Sequence, residues 1–262
     1  MIVQRIGTPV VLATVLALAS GAPAQALDLT VGLGAAYAPD YEGSDDYTLL
    51  PAWSLRADDL YHPDTYVRVL GTSISSNLLP DENFRVGLVA RYLPDYDKVD
   101  DSRVEDLERP QEALQTGVLL GYDALPGPRE DAAFEVEATY DLLHGNGGLV
   151  TPRVRYKAPL GQSFVGEALV QTSYASEDYM SNRFGVSGRD ARRSGLERFN
   201  ADDGLKDLTL GGQLSWIVTE NWLVTGLAGY TRLLEDAEDS PIVADRGDQD
   251  QLYGGLLVNY RF

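Results

Sequence analysis

Cysteine is absent from the 262-residue chain, and only two histidines, His62 and His144, are present. The lack of cysteine excludes disulfides, thiolate metal sites and a cysteine nucleophile. The mature part has no apolar run of the roughly 20 residues that a membrane-spanning helix needs. An excess of 40 acidic over 21 basic residues gives a net charge of −19, which argues against nucleic acid as a partner.

The first 26 residues have the features of a secretory signal peptide. Arg5 precedes an apolar segment over residues 10–19, and residues 24–26 have the A-x-A form of a cleavage site. The apolar segment is too short for a membrane anchor. We therefore predict export and cleavage after Ala26, which leaves a single domain over residues 27–262.

The rest of the chain alternates apolar and polar side chains with a period of two, which is typical of strands with one apolar face. Eleven segments show this pattern, and no segment shows a convincing amphipathic helix. The segments are about 10 to 13 residues long, whereas soluble strands average about 5 or 6 and membrane-spanning strands need about 9 to 11.

Two further features favour a membrane barrel over a soluble sandwich. Aromatic residues lie near the segment ends, and short connections alternate with long ones over residues 94–111, 176–204 and 235–249. The sequence therefore predicts an all-β, transmembrane, antiparallel up-and-down β-barrel of 10–12 strands. Bacterial barrels have an even number of strands. Twelve is favoured, with one more short strand between residues 60 and 79.

The lumen-facing positions of two neighbouring strands are charged. They are Glu135, Glu137 and Asp141 on one strand and Arg153, Arg155 and Lys157 on the next. Opposite charges on paired strands stabilise the pairing by about 0.2–1 kcal/mol per pair. The ladder either fills a narrow barrel or forms a selectivity constriction.

Three strings in the loops carry a resemblance to a known family. They are Pro39, Asp40, Tyr41, Glu42, Gly43 and Ser44; then Phe184, Gly185 and Val186 with Ser194, Gly195 and Leu196; and then Ser240, Pro241 and Ile242. The chain ends in Tyr260-Arg261-Phe262. With these strings in this order, the sequence resembles the MipA/OmpV family of outer-membrane proteins.

The resemblance implies a Gram-negative outer-membrane barrel that contacts lipid and lipopolysaccharide. It also implies a non-catalytic scaffold that links a murein lytic transglycosylase to a penicillin-binding murein synthase. The alternatives are a narrow channel, or a surface adhesin or antibiotic-response protein acting through its external loops. Tyr260 and Phe262 resemble the signal that the barrel-assembly machinery reads.

An enzyme, a metal site and a cofactor are not expected. His62 and His144 lie in loop-like segments outside any catalytic string. Residues 95–112 carry eight carboxylates, and residues 235–250 carry seven. Their mutual repulsion predicts extended, solvated loops. Binding of Ca²⁺ or Mg²⁺ is the alternative, although the spacing is not that of an EF-hand.

Overall fold

The computed structural model describes residues 28–96, 99–108, 111–127 and 130–262, so the predicted signal peptide and its cleavage site lie outside the described residues. Antiparallel strands form a closed barrel in which each strand pairs with the next and β1 pairs with β12. The strands are β1 (Asp28–Pro39), β2 (Tyr47–Asp58), β3 (Tyr66–Leu70), β4 (Ser73–Asn77), β5 (Phe84–Leu93), β6 (Ala113–Asp123), β7 (Asp131–Asp141), β8 (Gly148–Pro159), β9 (Phe164–Ala175), β10 (Gly204–Ile217), β11 (Trp222–Leu233) and β12 (Asp250–Arg261).

The described residues thus contain twelve strands, which confirms the predicted barrel and the favoured even number. The additional strand is β4, whose sequence Ser-Ile-Ser-Ser-Asn contains a single apolar residue. It pairs with β3 in a tight hairpin and with β5 through Ser73, Ile74 and Ser75. A strand of five residues with one apolar side chain is too short to show the alternation that marks the longer strands.

Aromatic side chains form two belts on the outer surface of the barrel. The belt at the end with the long loops, called here the outer end, contains Tyr37, Tyr47, Tyr92, Tyr140, Tyr174 and Tyr230. The belt at the inner end contains Phe84, Tyr122, Phe134, Tyr156, Phe164, Trp216, Trp222, Tyr260 and Phe262. Exposed aliphatic side chains such as Leu33 and Leu256 lie between them. This distribution is typical of a lipid-facing surface with an aromatic girdle at each interface.

Inside the barrel, glycines on neighbouring strands make room for an aromatic ring. Tyr253 of β12 lies against Gly229 of β11, where an added Cβ would sit 2.1 Å from the ring Cζ. Gly211 of β10 lies beneath the same hydroxyl, with a corresponding distance of 3.1 Å. A larger residue at Gly229 would therefore displace Tyr253 from the wall.

In the part of the chain that the structure describes, five short helices lie in the long outer loops, a feature that the sequence did not predict. They are α1 (Ser102–Glu105), α2 (Glu177–Phe184), α3 (Gly188–Ser194), α4 (Glu235–Asp239) and α5 (Pro241–Ala244). Each is too short to show a helical period. Their visible signals are the caps, since the Ser176 and Ser187 side chains accept backbone N–H bonds at the starts of α2 and α3. No helix in the described part of the chain is long and apolar enough to cross a membrane.

Candidate functional site

The three motif segments pack together over the outer end of the barrel. Tyr41 lies in the β1–β2 loop, Phe184 ends α2 and Ile242 lies in α5, and all three side chains are buried. Their neighbours in two apolar clusters also include residues of the β5–β6 loop, such as Val104. Four long connections therefore form one structure, called here the cap, with an apolar core of its own.

Polar contacts fix the motif segments to one another and to the barrel wall. The Gly43 N–H donates to Gln251 Oε1 at 3.2 Å, and the Ser240 hydroxyl donates to the Phe184 carbonyl at 2.6 Å. Gly43 has a φ of 101°, and an added Cβ would lie 2.5 Å from Val243 Cγ2. Both the backbone conformation and the close approach therefore require glycine at this position.

The other motif residues serve the same cap or the strand ends. Pro39 ends β1, the Asp40 carboxylate accepts the Asp100 N–H at 2.9 Å, Glu42 lies in the cap interior and Ser44 bridges to Gly247. Gly185 and Gly195 end α2 and α3, and Val186 and Leu196 join the apolar core. The Ser194 hydroxyl donates to the Asp190 carbonyl, and Pro241 begins α5. Tyr260 and Phe262 lie apart from them on the inner aromatic belt, with their ring centroids 4.9 Å apart.

A buried ion group connects the cap to the barrel wall. The pairing of β10 with β9 shifts between Leu205 and Asp207, and the Lys206 and Asp207 side chains are both buried. Lys206 contacts Asp207 at 2.6 Å and Glu42 in the β1–β2 loop. The Tyr179 hydroxyl donates to Glu42 Oε2 at 3.2 Å. Burial acts to raise the pKa of Glu42, but the Lys206 ammonium and its hydrogen bond outweigh it, so this pKa lies below its ordinary value of 4.5.

The acidic loops are folded and paired internally, so the expectation of extended loops is wrong. Glu108 contacts Arg189 at 3.0 Å and Arg193 at 2.9 Å. Asp101 accepts from the Arg246 Nε at 2.8 Å and from the backbone at the start of α1. Basic residues of other loops and backbone donors offset the repulsion that the loop composition suggests.

A network of buried ions lies on the lumen side of the wall at the inner end of the barrel. Arg85 of β5 contacts Asp123 at 2.6 Å, Glu135 at 2.7 Å and Asp131 at 3.1 Å, and all four side chains are buried. Arg155 of β8 adds contacts to Asp131 at 3.1 Å and to Glu135 at 3.5 Å. The lumen charges therefore neutralise one another over four neighbouring strands.

Glu137 extends this network toward the middle of the barrel. It contacts Arg153 at 3.1 Å and Arg91 at 3.4 Å, and Lys157 lies 3.8 Å from Asp131. Glu135, Glu137, Arg153, Arg155 and Lys157 thus face one another as the alternation predicted. Arg85 was missed because two of its three partners, Asp131 and Glu135, lie two strands away in the sheet, whereas the sequence analysis compared neighbouring strands only.

Asp141 does not belong to the ladder, which corrects the sequence prediction. Its carboxylate accepts backbone N–H bonds from Leu114 at 2.9 Å, Leu143 at 3.0 Å and Asn146 at 3.0 Å. It therefore organises the β7–β8 turn, where backbone donors would otherwise lack partners. Asp131, at the other end of β7, contacts Arg155 and Lys157 in the ladder instead.

The two histidines lie at opposite ends of the barrel. His62 is in the β2–β3 turn at the inner end, and its Nδ1 lies 2.6 Å from the Pro63 carbonyl. His144 is in the β7–β8 turn at the outer end, and its Nδ1 lies 3.1 Å from the Glu112 carbonyl. They cannot act on one substrate together. Within the described residues, no group of three histidine, aspartate or glutamate side chains is placed to hold a metal ion.

A family model for the MltA-interacting protein MipA matches residues 31–262, which is almost the whole described chain. The chain belongs to the MipA family. The match includes all three cap motifs and runs from within β1 to the end of β12, so the cap and the barrel are both part of the family pattern.

Relatives in enteric and marine bacteria agree with this assignment. The putative outer membrane protein YiaT of Escherichia coli K12 is 27% identical over 248 residues, 92% of this chain and 94% of its own. The MltA-interacting protein of the same strain is 31% identical over 97 residues, 36% of each chain. The outer membrane protein Omp26La of Vibrio anguillarum is 27% identical over 168 residues, 64% of this chain and 61% of its own. This MipA-family protein is accordingly a Gram-negative outer-membrane barrel.

Among solved structures, the NanC porin covers 90% of this chain and 100% of its own at 11% identity, with a TM-score of 0.46. A likeness of this size carries no argument about what passes through the barrel or binds to it.

Proposed function

We propose that the protein is a non-catalytic scaffold of the outer membrane that holds a murein lytic transglycosylase near a penicillin-binding murein synthase. The observation that supports the proposal is the position of folded loops and buried ions at the two ends of the barrel. The cap lies over the outer end, and the Arg85 network lies on the lumen side of the wall at the inner end. Narrow barrels whose own side chains occupy the interior leave no aqueous channel.

The kinship to the MltA-interacting protein supports the proposal, since its name records an interaction with MltA. The family resemblance implies a murein lytic transglycosylase as the partner. A periplasmic partner reaches only the inner rim. Each of the five inner turns carries an exposed large apolar side chain, namely Tyr61, Leu78, Leu125, Leu160 and Val218. Apolar and aromatic anchors of this kind dominate the energy of protein interfaces.

The inner turns are short, so the contact area at the rim is limited. A standard stable interface buries about 800 Å² per partner. We therefore expect a weak complex that crosslinking preserves and dilution disrupts.

Co-purification from crosslinked cell envelopes tests the proposal. The wild-type protein should retain a murein lytic transglycosylase, and a rim variant with Tyr61→Ser, Leu125→Ser and Val218→Ser should lose most of it. The matched outer-loop variant, Asp100→Asn with Glu105→Gln and Asp106→Asn, changes exposed side chains and should retain the enzyme. Equal loss in both variants, with each barrel still heat-modifiable on a gel, would contradict the rim as the binding surface.

A further inference from the structure

The β3–β4 hairpin is too short to cover the strand beside it. Leu70 at the end of β3 pairs with Ser54 in the middle of β2, and the Gly71 N–H donates to the Trp53 carbonyl at 2.9 Å. β2 continues outward from this point to Tyr47. Within the described residues, no strand pairs with residues 47–52 on the edge of β2 that faces β3. At about 3.3 Å per residue, the unpaired edge is about 20 Å long.

The other side of the hairpin reaches further out, so the uncovered area is wedge-shaped. The Tyr92 N–H of β5 donates to the Thr72 carbonyl at 3.1 Å, close to the outer end of that strand. Above the wedge, the loops on its two sides meet. The Tyr41 and Tyr96 rings pack against each other at a tilt of 41° with their centroids 4.9 Å apart, which joins the β1–β2 loop to the β5–β6 loop. The uncovered area is therefore a window in the barrel wall, bounded above by the cap and below by the hairpin tip.

The backbone of β2 is adapted to an open edge. The N–H and C=O groups of alternate residues in a strand point to the same edge. Since the Trp53 carbonyl points toward β3, Pro51 and Leu49 present their backbone to the window. Proline has no N–H to leave unpaired, and within sheets it is confined to such edges, strand starts and bulges. Pro51 thus removes one donor that lipid could not satisfy.

The side chains around the window are apolar on both sides of the wall. Leu49 faces outward beside the tyrosine belt and is 71% exposed, whereas Leu50 faces the lumen and is 45% exposed. Leu70 faces the lumen at the hairpin tip and is 52% exposed. Large leucines with this exposure on the inner surface indicate free apolar space behind the window.

We propose that the window admits an acyl chain of an outer-leaflet lipid into the outer half of the lumen. The opening is continuous with the lipid-facing surface, because Leu49 lies next to Tyr47 and Tyr37 of the outer belt. Acyl chains are therefore the molecules in contact with it. Leu50, Leu70 and the small side chain of Ala36, which pairs with Leu50, supply apolar contacts. The Arg85 network stops the chain at the inner half.

Fluorescence quenching by lipid tests this proposal, and the absence of native cysteine allows a single labelled site. The full chain carries Leu50→Cys, labelled with a fluorophore, in phosphatidylcholine vesicles whose acyl chains are brominated. Leu49→Cys is the lipid-exposed reference. Leu169→Cys is the matched control, since it faces the lumen behind a wall paired on both sides, to Arg155 and to Gly211.

Quenching at Leu50→Cys should approach that at Leu49→Cys and exceed that at Leu169→Cys several-fold. Equal, low quenching at Leu50 and Leu169 would overturn the proposal. If a second copy of the chain paired along the β2 edge, quenching at Leu50→Cys would instead fall as the protein-to-lipid ratio rises. That result would also overturn the proposal. Leu70→Cys repeats the test at the lower boundary of the window if the Leu50 variant fails to insert.

Discussion

Arg85 is the residue on which most of the buried lumen charge depends. It contacts three carboxylates, and its side chain is only 9% exposed. Removing one partner of a buried ion group leaves uncompensated charge in a poorly solvated site. We expect Arg85→Met to lower the free energy of unfolding by about 3–5 kcal/mol. Urea unfolding in detergent or vesicles, followed by the loss of heat-modifiable mobility, measures the change.

Arg91→Met is the matched control for this substitution. Arg91 lies on the same strand and face but contacts one carboxylate, Glu137, at 3.4 Å with 38% of its side chain exposed. Exposed pairs contribute about 0–1 kcal/mol, so this variant should remain close to the wild type. Similar effects of the two substitutions would show that the network does not act through burial.

Gly43 controls the packing of the first motif segment. We expect Gly43→Ala to loosen the cap, because a left-handed conformation costs a residue with a Cβ about 1–2 kcal/mol and the new atom meets Val243. Limited proteolysis of the loops should accelerate while the barrel stays folded. Gly195→Ala is the control: Gly195 also has a positive φ but has open space around it. Equal proteolysis rates in the two variants would rule out the steric contribution.

The cap as an element should respond to acid through the Glu42–Lys206 contact. The pKa of Glu42 is lower in the folded protein than its ordinary value of 4.5, so the charged form stabilises the cap. That stabilisation is complete above pH 4.5 and is lost as the pH falls through the folded value. The protection of the loop amides against hydrogen exchange, relative to their intrinsic rates, should therefore fall at low pH before that of the strand amides. In Glu42→Gln this step should be absent, and a step unchanged by that substitution would contradict the assignment.

The last strand, β12, closes the barrel against β1 and ends in the aromatic pair Tyr260 and Phe262. Phe262 also donates its N–H to the Leu29 carbonyl at 2.9 Å. Deleting Phe262 removes this closing contact and the terminal aromatic residue. We expect less heat-modifiable protein in outer-membrane fractions. Full insertion of the deletion variant would contradict a role for the terminal residue in assembly.

The long strands were predictable because each presents a repeated contrast between a lipid face and a lumen face. Twelve strands followed from this alternation and from the need for an even number. The helices of the cap were not predictable, and strand β4 was expected only from the even strand number and not from its own pattern, because elements of four to eight residues carry too few periods. Arg85 and Asp141 show the same limit at the site, since their roles depend on which strands and turns meet in space.

How the molecule accommodates its net negative charge also becomes clear only from the fold. A net charge of −19 suggests repulsion between loops, yet the outer acids pair with arginines of other loops. The inner acids pair with the lumen arginines. The lumen pairs lie along β5 to β8, so we expect them to narrow the wet path that a channel would need.

Bilayer conductance of the purified, membrane-inserted protein tests whether ions pass through the lumen. With the cap over its outer end and the Arg85 network at its inner end, the barrel should show no steady conductance steps in salt solution. Protein recovered from the bilayer lipid should keep its heat-modifiable mobility on a gel, which verifies that the inserted barrel was folded. Steady, ion-selective steps whose selectivity shifts in Arg155→Glu would show a continuous aqueous path through the lumen and contradict the account.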